Sequence, residues 1–63
     1  MAQEFIEFEG KLITQTERAG LFEIENDQYW IPWSQVDEGS IDTNGEEGPI
    51  YMTEWIAEQK GLL

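Results

Sequence analysis

The clearest alternation of apolar and polar positions spans residues 21–33. Leu21-Phe-Glu-Ile-Glu25 and Gln28-Tyr-Trp-Ile-Pro32 flank Asn26-Asp27, two residues that tolerate left-handed backbone, so the pattern predicts a two-residue β-hairpin. That turn pairs Glu25 with Gln28, Ile24 with Tyr29, Glu23 with Trp30 and Phe22 with Ile31. One face then carries Phe22, Ile24, Tyr29, Ile31 and Trp33. The other carries Leu21, Glu23, Glu25, Gln28 and Trp30. Pro32 has no N–H and belongs at a strand end or on an edge.

Upstream, residues 5–18 alternate in the same way. Ile6, Phe8, Leu12, Thr14 and Thr16 fall on one side, and Glu7, Glu9, Lys11, Ile13 and Glu17 on the other. Gly10 reads as a bend or bulge, and Ala19-Gly20 as a turn. Residues 37–49 form an acidic loop rich in Gly, with a short strand expected at 40–43 around Ile41, a turn at Asn44-Gly45 and a returning strand at 49–52. Residues 54–60 read as a helix: Thr53 is the N-cap, Lys60 lies in the last turn and Gly61 just beyond. So short a helix must dock to persist, and Trp55 and Ile56 are the expected contacts. The expected strands are therefore 5–18, 21–25, 28–36, 40–43 and 49–52. Together they imply a mainly β (α+β) fold. We expect one domain over 1–63: a small twisted antiparallel sheet of roughly three to five strands, or a partly open barrel, with a short C-terminal helix.

Composition narrows the chemistry. Sixty-three residues allow one small core, and the chain has neither Cys nor His. Disulfides, the usual zinc sites and a histidine general base are excluded. Phe5, Phe8, Phe22, Tyr29, Trp30, Trp33, Tyr51 and Trp55 are a heavy aromatic load for the length, and most of them are expected to pack in the core. No apolar run approaches the roughly 20 residues of a membrane span, and the N-terminus lacks the basic start and apolar stretch of a signal peptide. A cytoplasmic location is the expectation.

Charge says most about function. Fourteen Asp and Glu against three Lys and Arg leave a formal net charge of −11. Such a surface repels nucleic acid and anionic membranes, attracts basic proteins and opposes self-association. A monomer that contacts neither DNA nor a membrane directly is the expectation. Carboxylates alone can run acid–base chemistry, but that needs a cleft holding them in unlike environments, for which the chain is small. We expect no enzyme activity and no cofactor. Asp42-Thr-Asn44-Gly-Glu46 invites comparison with a calcium loop, yet Glu47 stands where the loop's Gly belongs and Thr53 where its final Glu belongs. Only a weak cation site among Asp37, Glu38, Asp42, Glu46 and Glu47 would remain.

Glu7 and Glu9 on one strand, and Glu23 and Glu25 on another, would project at about 7 Å intervals, close to the phosphate spacing along a nucleic-acid strand. These acids, with Asp37, Glu38, Asp42, Glu46 and Glu47, form the candidate partner-binding set. Trp30, outward beside Glu23, is its candidate apolar anchor unless a loop or the helix covers it.

Trp30-Ile-Pro-Trp-Ser-Gln-Val36, an acidic Gly-bearing spacer and Thr53-Glu-Trp-Ile-Ala-Glu-Gln-Lys-Gly-Leu62 resemble a pattern found in small bacteriophage and prophage domains. The resemblance covers roughly residues 20–62 and brings no catalytic role. Where those sequences often carry Lys, this chain has Trp33. The resemblance implies a compact domain in a phage context, where small acidic proteins block host defence and repair enzymes. The resulting expectation is a phage-type protein that binds and inhibits a basic nucleic-acid-binding host protein by mimicking phosphate charge. The alternative is an interaction module of a phage replication, recombination or assembly complex, docking through aromatic residues.

Overall fold

The long strand β1 (Phe5–Gln15) organises the molecule. In the computed structural model, which describes residues 4–63, β1 pairs antiparallel with β2 (Ala19–Ile24) on one side and with β4 (Glu47–Thr53) on the other. β2 pairs in turn with β3 (Asp27–Pro32), giving one open four-stranded antiparallel sheet in the order β3-β2-β1-β4. The sheet does not close into a barrel. A short helix α1 (Glu54–Gln59) follows β4 directly.

Alternation decides the two faces. Leu12, Phe22, Ile24, Ile31, Ile50 and Met52 are buried on the inner face. Phe8, Tyr29 and Trp33 pack against them, as do Val36 and Leu62. The Trp33 ring meets Phe22 edge-on at 5.6 Å, and its indole N–H donates to the Thr16 carbonyl at 3.1 Å. Trp33 does this from a single 3-10 turn (Trp33–Gln35) after β3 rather than from a strand running to residue 36.

The hairpin turns one residue earlier than the sequence suggests. Glu25 and Asn26, at φ 53° and 73°, occupy the turn, so Phe22 opposes Tyr29 and Leu21 opposes Trp30. The slip preserves side-chain parity, and both faces survive it. It brings apolar Leu21 beside Trp30 in place of Glu23 and releases Glu25 from the ladder to solvent.

The irregularity in β1 also moves. Gly10 stays in the regular ladder opposite Gly48, and the bulge falls between Leu12 and Thr14. One extra residue reverses the parity, so Thr14 opposes Leu21 and is exposed instead of following Leu12 inward. Gly10 is required by close approach: a Cβ there would strike the Glu23 carbonyl and lie 3.0 Å from Ile50 Cδ1. β1 ends at Gln15, and the turn lies at residues 16–18 instead of Ala19-Gly20. The Thr16 hydroxyl accepts from the Arg18 and Ala19 amides at 3.3 and 3.2 Å, and that local bonding outcompetes a glycine turn.

From β3 the chain crosses the inner face, and Val36 bridges to Met52. It then runs along the outer edge of β4. The Asp37 amide donates to the Tyr51 carbonyl at 2.8 Å and the Ile41 amide to the Pro49 carbonyl at 3.0 Å. No strand forms at 40–43; Ile41 is instead a buried plug. The Glu46 amide donates to the Thr43 carbonyl at 2.9 Å, which closes the turn around Asn44-Gly45.

Thr53 caps α1, its Oγ1 accepting the Ile56 N–H at 3.2 Å. At the other end Gly61, with φ 76°, lets the Leu62 amide reach the Ala57 carbonyl at 2.8 Å and the Gly61 amide reach the Glu58 carbonyl at 3.1 Å. This paired closure satisfies the last carbonyls and folds Leu62 back onto the core. The helix docks through Ile56 and Ala57, not through Trp55, which is 56% exposed. With only six residues the helix buries one narrow stripe, and Trp55 lies outside it.

Candidate acidic interface

The register alone assembles the site. Ile6 and Phe8 oppose Met52 and Ile50 on the inner side, so Glu7 and Glu9 project from the outer face. Lys11 follows, directly opposite Glu23 on β2 and Glu47 on β4, and Glu23 is opposite Gln28 on β3. Opposed residues stand about 5 Å apart at Cβ and successive same-face residues about 7 Å apart. Glu7, Glu9, Glu23 and Glu47 therefore form a negative band across the sheet, with Lys11 among them.

Where the β2–β3 hairpin ends and β1 runs on, the surface is concave. A depression of about 430 Å³ is lined by Glu9, Gly10, Lys11, Glu23, Glu25, Asn26, Glu47 and Gly48. Glu25 enters it from the turn rather than from a strand, and thus joins the band although it has left the ladder. Beyond the band, toward the β1–β2 turn, come Thr14, Leu21 and Trp30. Trp30 is 45% exposed; neither the loop nor α1 covers it. At the other end of the band Phe5 is 48% exposed.

The loop acids behave differently. Asp37 Oδ2 accepts from the Gly39 amide at 2.9 Å, and Glu46 Oε1 accepts from the Asp42 and Thr43 amides, each at 3.2 Å. Asp42 Oδ1 accepts from the Thr43 hydroxyl at 3.3 Å. Gln15 Nε2 donates to the Asp42 carbonyl at 2.8 Å and to Asn44 Oδ1 at 3.0 Å, pinning this part of the loop beside β1. These carboxylates shape the loop and do not line the depression. Glu38 is exposed in the segment along β4. Glu47 begins β4 rather than ending the loop. Among the described residues no group of three or more acidic, His or Cys side chains is placed to hold a metal ion.

Two residues, one in the band and one beside β4, are not singled out by the sequence. Lys11 sits on the expected face, but only its two cross-strand partners make it the centre of the band. Ser40 reads as loop, yet it is buried, and its Oγ accepts the Tyr51 N–H at 2.7 Å.

Fold and site together define a small open β-sheet protein with an acidic outer face bordered by exposed aromatics. No family model, curated protein or solved structure matches the chain. Among the described residues no helix is long and apolar enough to cross a membrane.

Proposed function

We propose that this chain is a small acidic phage-type protein that binds a basic, nucleic-acid-binding surface of a host protein and inhibits it, with the outer sheet face standing in for phosphate charge. The observation that carries this reading is the placement of Glu9, Glu23, Glu25 and Glu47 around one concave surface, with Glu7 next along the same face of β1 and Trp30 exposed on the outer face of β3. The sheet ladder fixes the backbone that carries the strand acids, so binding costs only the rotamer freedom of their side chains and no ordering of the main chain. Charge steers the encounter, and Trp30 at the border of the band supplies the apolar contact. No catalytic step is part of this reading.

The test is capture from bacterial lysate at low salt, eluted with a salt gradient, beside a variant carrying Gln at Glu7, Glu9, Glu23 and Glu47. The expected eluate contains nucleic-acid-binding enzymes, displaced by duplex DNA or RNA and lost with the variant; their activity falls when the wild-type chain is added. A captured set indifferent to salt, to competitor and to the substitutions overturns the reading.

A second reading is favoured by Phe5 and Trp55, both exposed and both close to Thr53. They suit an interaction module that docks through aromatic residues, with charge serving solubility. Its binding would respond weakly to salt and would not be displaced by nucleic acid.

A further inference from the structure

The two edges of the sheet are treated unlike each other. Along β4, residues 37–41 occupy the outward backbone groups through Asp37, Ser40 and Ile41. β3 has no such cover. The Trp33 amide donates to the Arg18 carbonyl at 2.8 Å, which sets the phase of the β2–β3 ladder. Ile31 with Gly20, Tyr29 with Phe22 and Asp27 with Ile24 then exchange bonds, and the intervening residues direct their backbone groups outward. The N–H and C=O of Gln28 and Trp30 therefore face away from the sheet, and no described residue outside it bonds them. Exposed edges are ordinarily guarded by lysine, bulges or proline within the strand. β3 has no Lys and its register is regular; Pro32 stands only at its end.

We propose that β3 is a docking edge that accepts an extended, lysine- or arginine-bearing segment of a partner protein as a fifth strand. The occupant follows from charge. Glu23, Glu25 and Asp27 cluster at the turn end of β3, and a second copy of a chain with net charge −11 would bring like charge against them. Trp30, exposed on the outer face of β3 itself, would lie across the incoming strand's side chains. This inference rests on the preceding reading only in taking the partner to be basic. It adds that part of the recognition runs through main-chain hydrogen bonds, which give affinity that charge mimicry alone does not.

The probe is a synthetic octapeptide of alternating Lys and Val, beside its counterpart N-methylated at every residue, which keeps the charge and has no backbone donors. Binding is followed by fluorescence and by amide exchange in ¹H–¹⁵N spectra. The plain peptide should bind at least about tenfold tighter than the methylated one, since only the plain peptide can donate main-chain hydrogen bonds to the edge. The Gln28 and Trp30 amides should gain at least about tenfold protection. Gln28→Pro, which removes one outward donor without touching the β2 ladder or the net charge, should weaken the plain peptide about two- to tenfold. Equal, salt-sensitive binding of both peptides without protection overturns the edge proposal and leaves the charge reading intact. Absence of binding by either peptide also overturns it, while displacement by nucleic acid in the lysate experiment judges the charge reading separately. Protection of Gln28 and Trp30 before any peptide is added, in a species that sediments as a dimer, overturns it in favour of a second copy.

Discussion

Ser40 Oγ accepts the Tyr51 N–H at 2.7 Å and lies 3.3 Å from the Tyr51 carbonyl oxygen. A side chain thus does for β4 what a neighbouring strand does elsewhere. Ser40→Ala should leave a buried donor unpaired and cost about 1–3 kcal/mol. Urea unfolding should show a lower midpoint with an unchanged slope. A change below about 0.5 kcal/mol would mean that water replaces the hydroxyl.

Lys11 separates Glu23 from Glu47, so its removal has opposite effects on stability and on binding. Lys11→Gln should cost about 0.2–1 kcal/mol for each of the two cross-strand pairs. The loss should shrink in about 1 M salt, where the Debye length is about 3 Å. Affinity for a basic partner should rise in the same variant. Parallel denaturation and binding titrations at two ionic strengths check both signs; a fall in both quantities would place Lys11 in the contact itself.

Thr53 couples the helix to the crossing segment. Its hydroxyl donates to Gln35 Oε1 at 2.7 Å while accepting the Ile56 N–H, and the residue is buried. Thr53→Val keeps the volume and removes both bonds, and should cost about 2 kcal/mol. Amide exchange should accelerate first in 56–62, ahead of the sheet. Uniform acceleration would show that the helix has no independent opening.

Gly10 and Gly61 should respond unequally to alanine. At Gly61 nothing lies within 4 Å of a new Cβ, so only the left-handed backbone is penalised, by about 1–2 kcal/mol. At Gly10 the Cβ meets backbone and core together, so Gly10→Ala should cost about 1–3 kcal/mol and move β2 away from β1. Thermal unfolding ranks the two, and chemical shifts at Glu23 show whether the strands part.

Much of the sheet was legible because alternation is a local property. Phe22, Ile24, Tyr29 and Ile31 keep their common face although the turn moved from Asn26-Asp27 to Glu25-Asn26, since the slip preserves parity. Thr53 and Gly61 marked the helix ends, whose bonds span only a few residues. Thr14 departs from the face that alternation predicts for the complementary reason. A bulge depends on how β1 fits β2, and nothing within β1 announces it. Spacing puts Trp55 among the docking residues and the structure leaves it exposed, because two helical turns offer several stripes and the sheet selects one.

The amino-acid sequence by itself determined the faces of β2, β3 and β1 as far as Leu12, the capped helix and the excess of negative charge, because each is written in neighbouring residues. Only the tertiary structure decided which charges meet. Pairing β4 with β1 places Glu47 beside Lys11, thirty-six positions away in the chain, and gathers Glu9, Glu23 and Glu25 around one depression. It also spends Asp37, Asp42 and Glu46 on holding the loop. Strand order likewise covers β4 and leaves β3 open. Long-range register chooses among these arrangements, and register comes from packing the whole core at once.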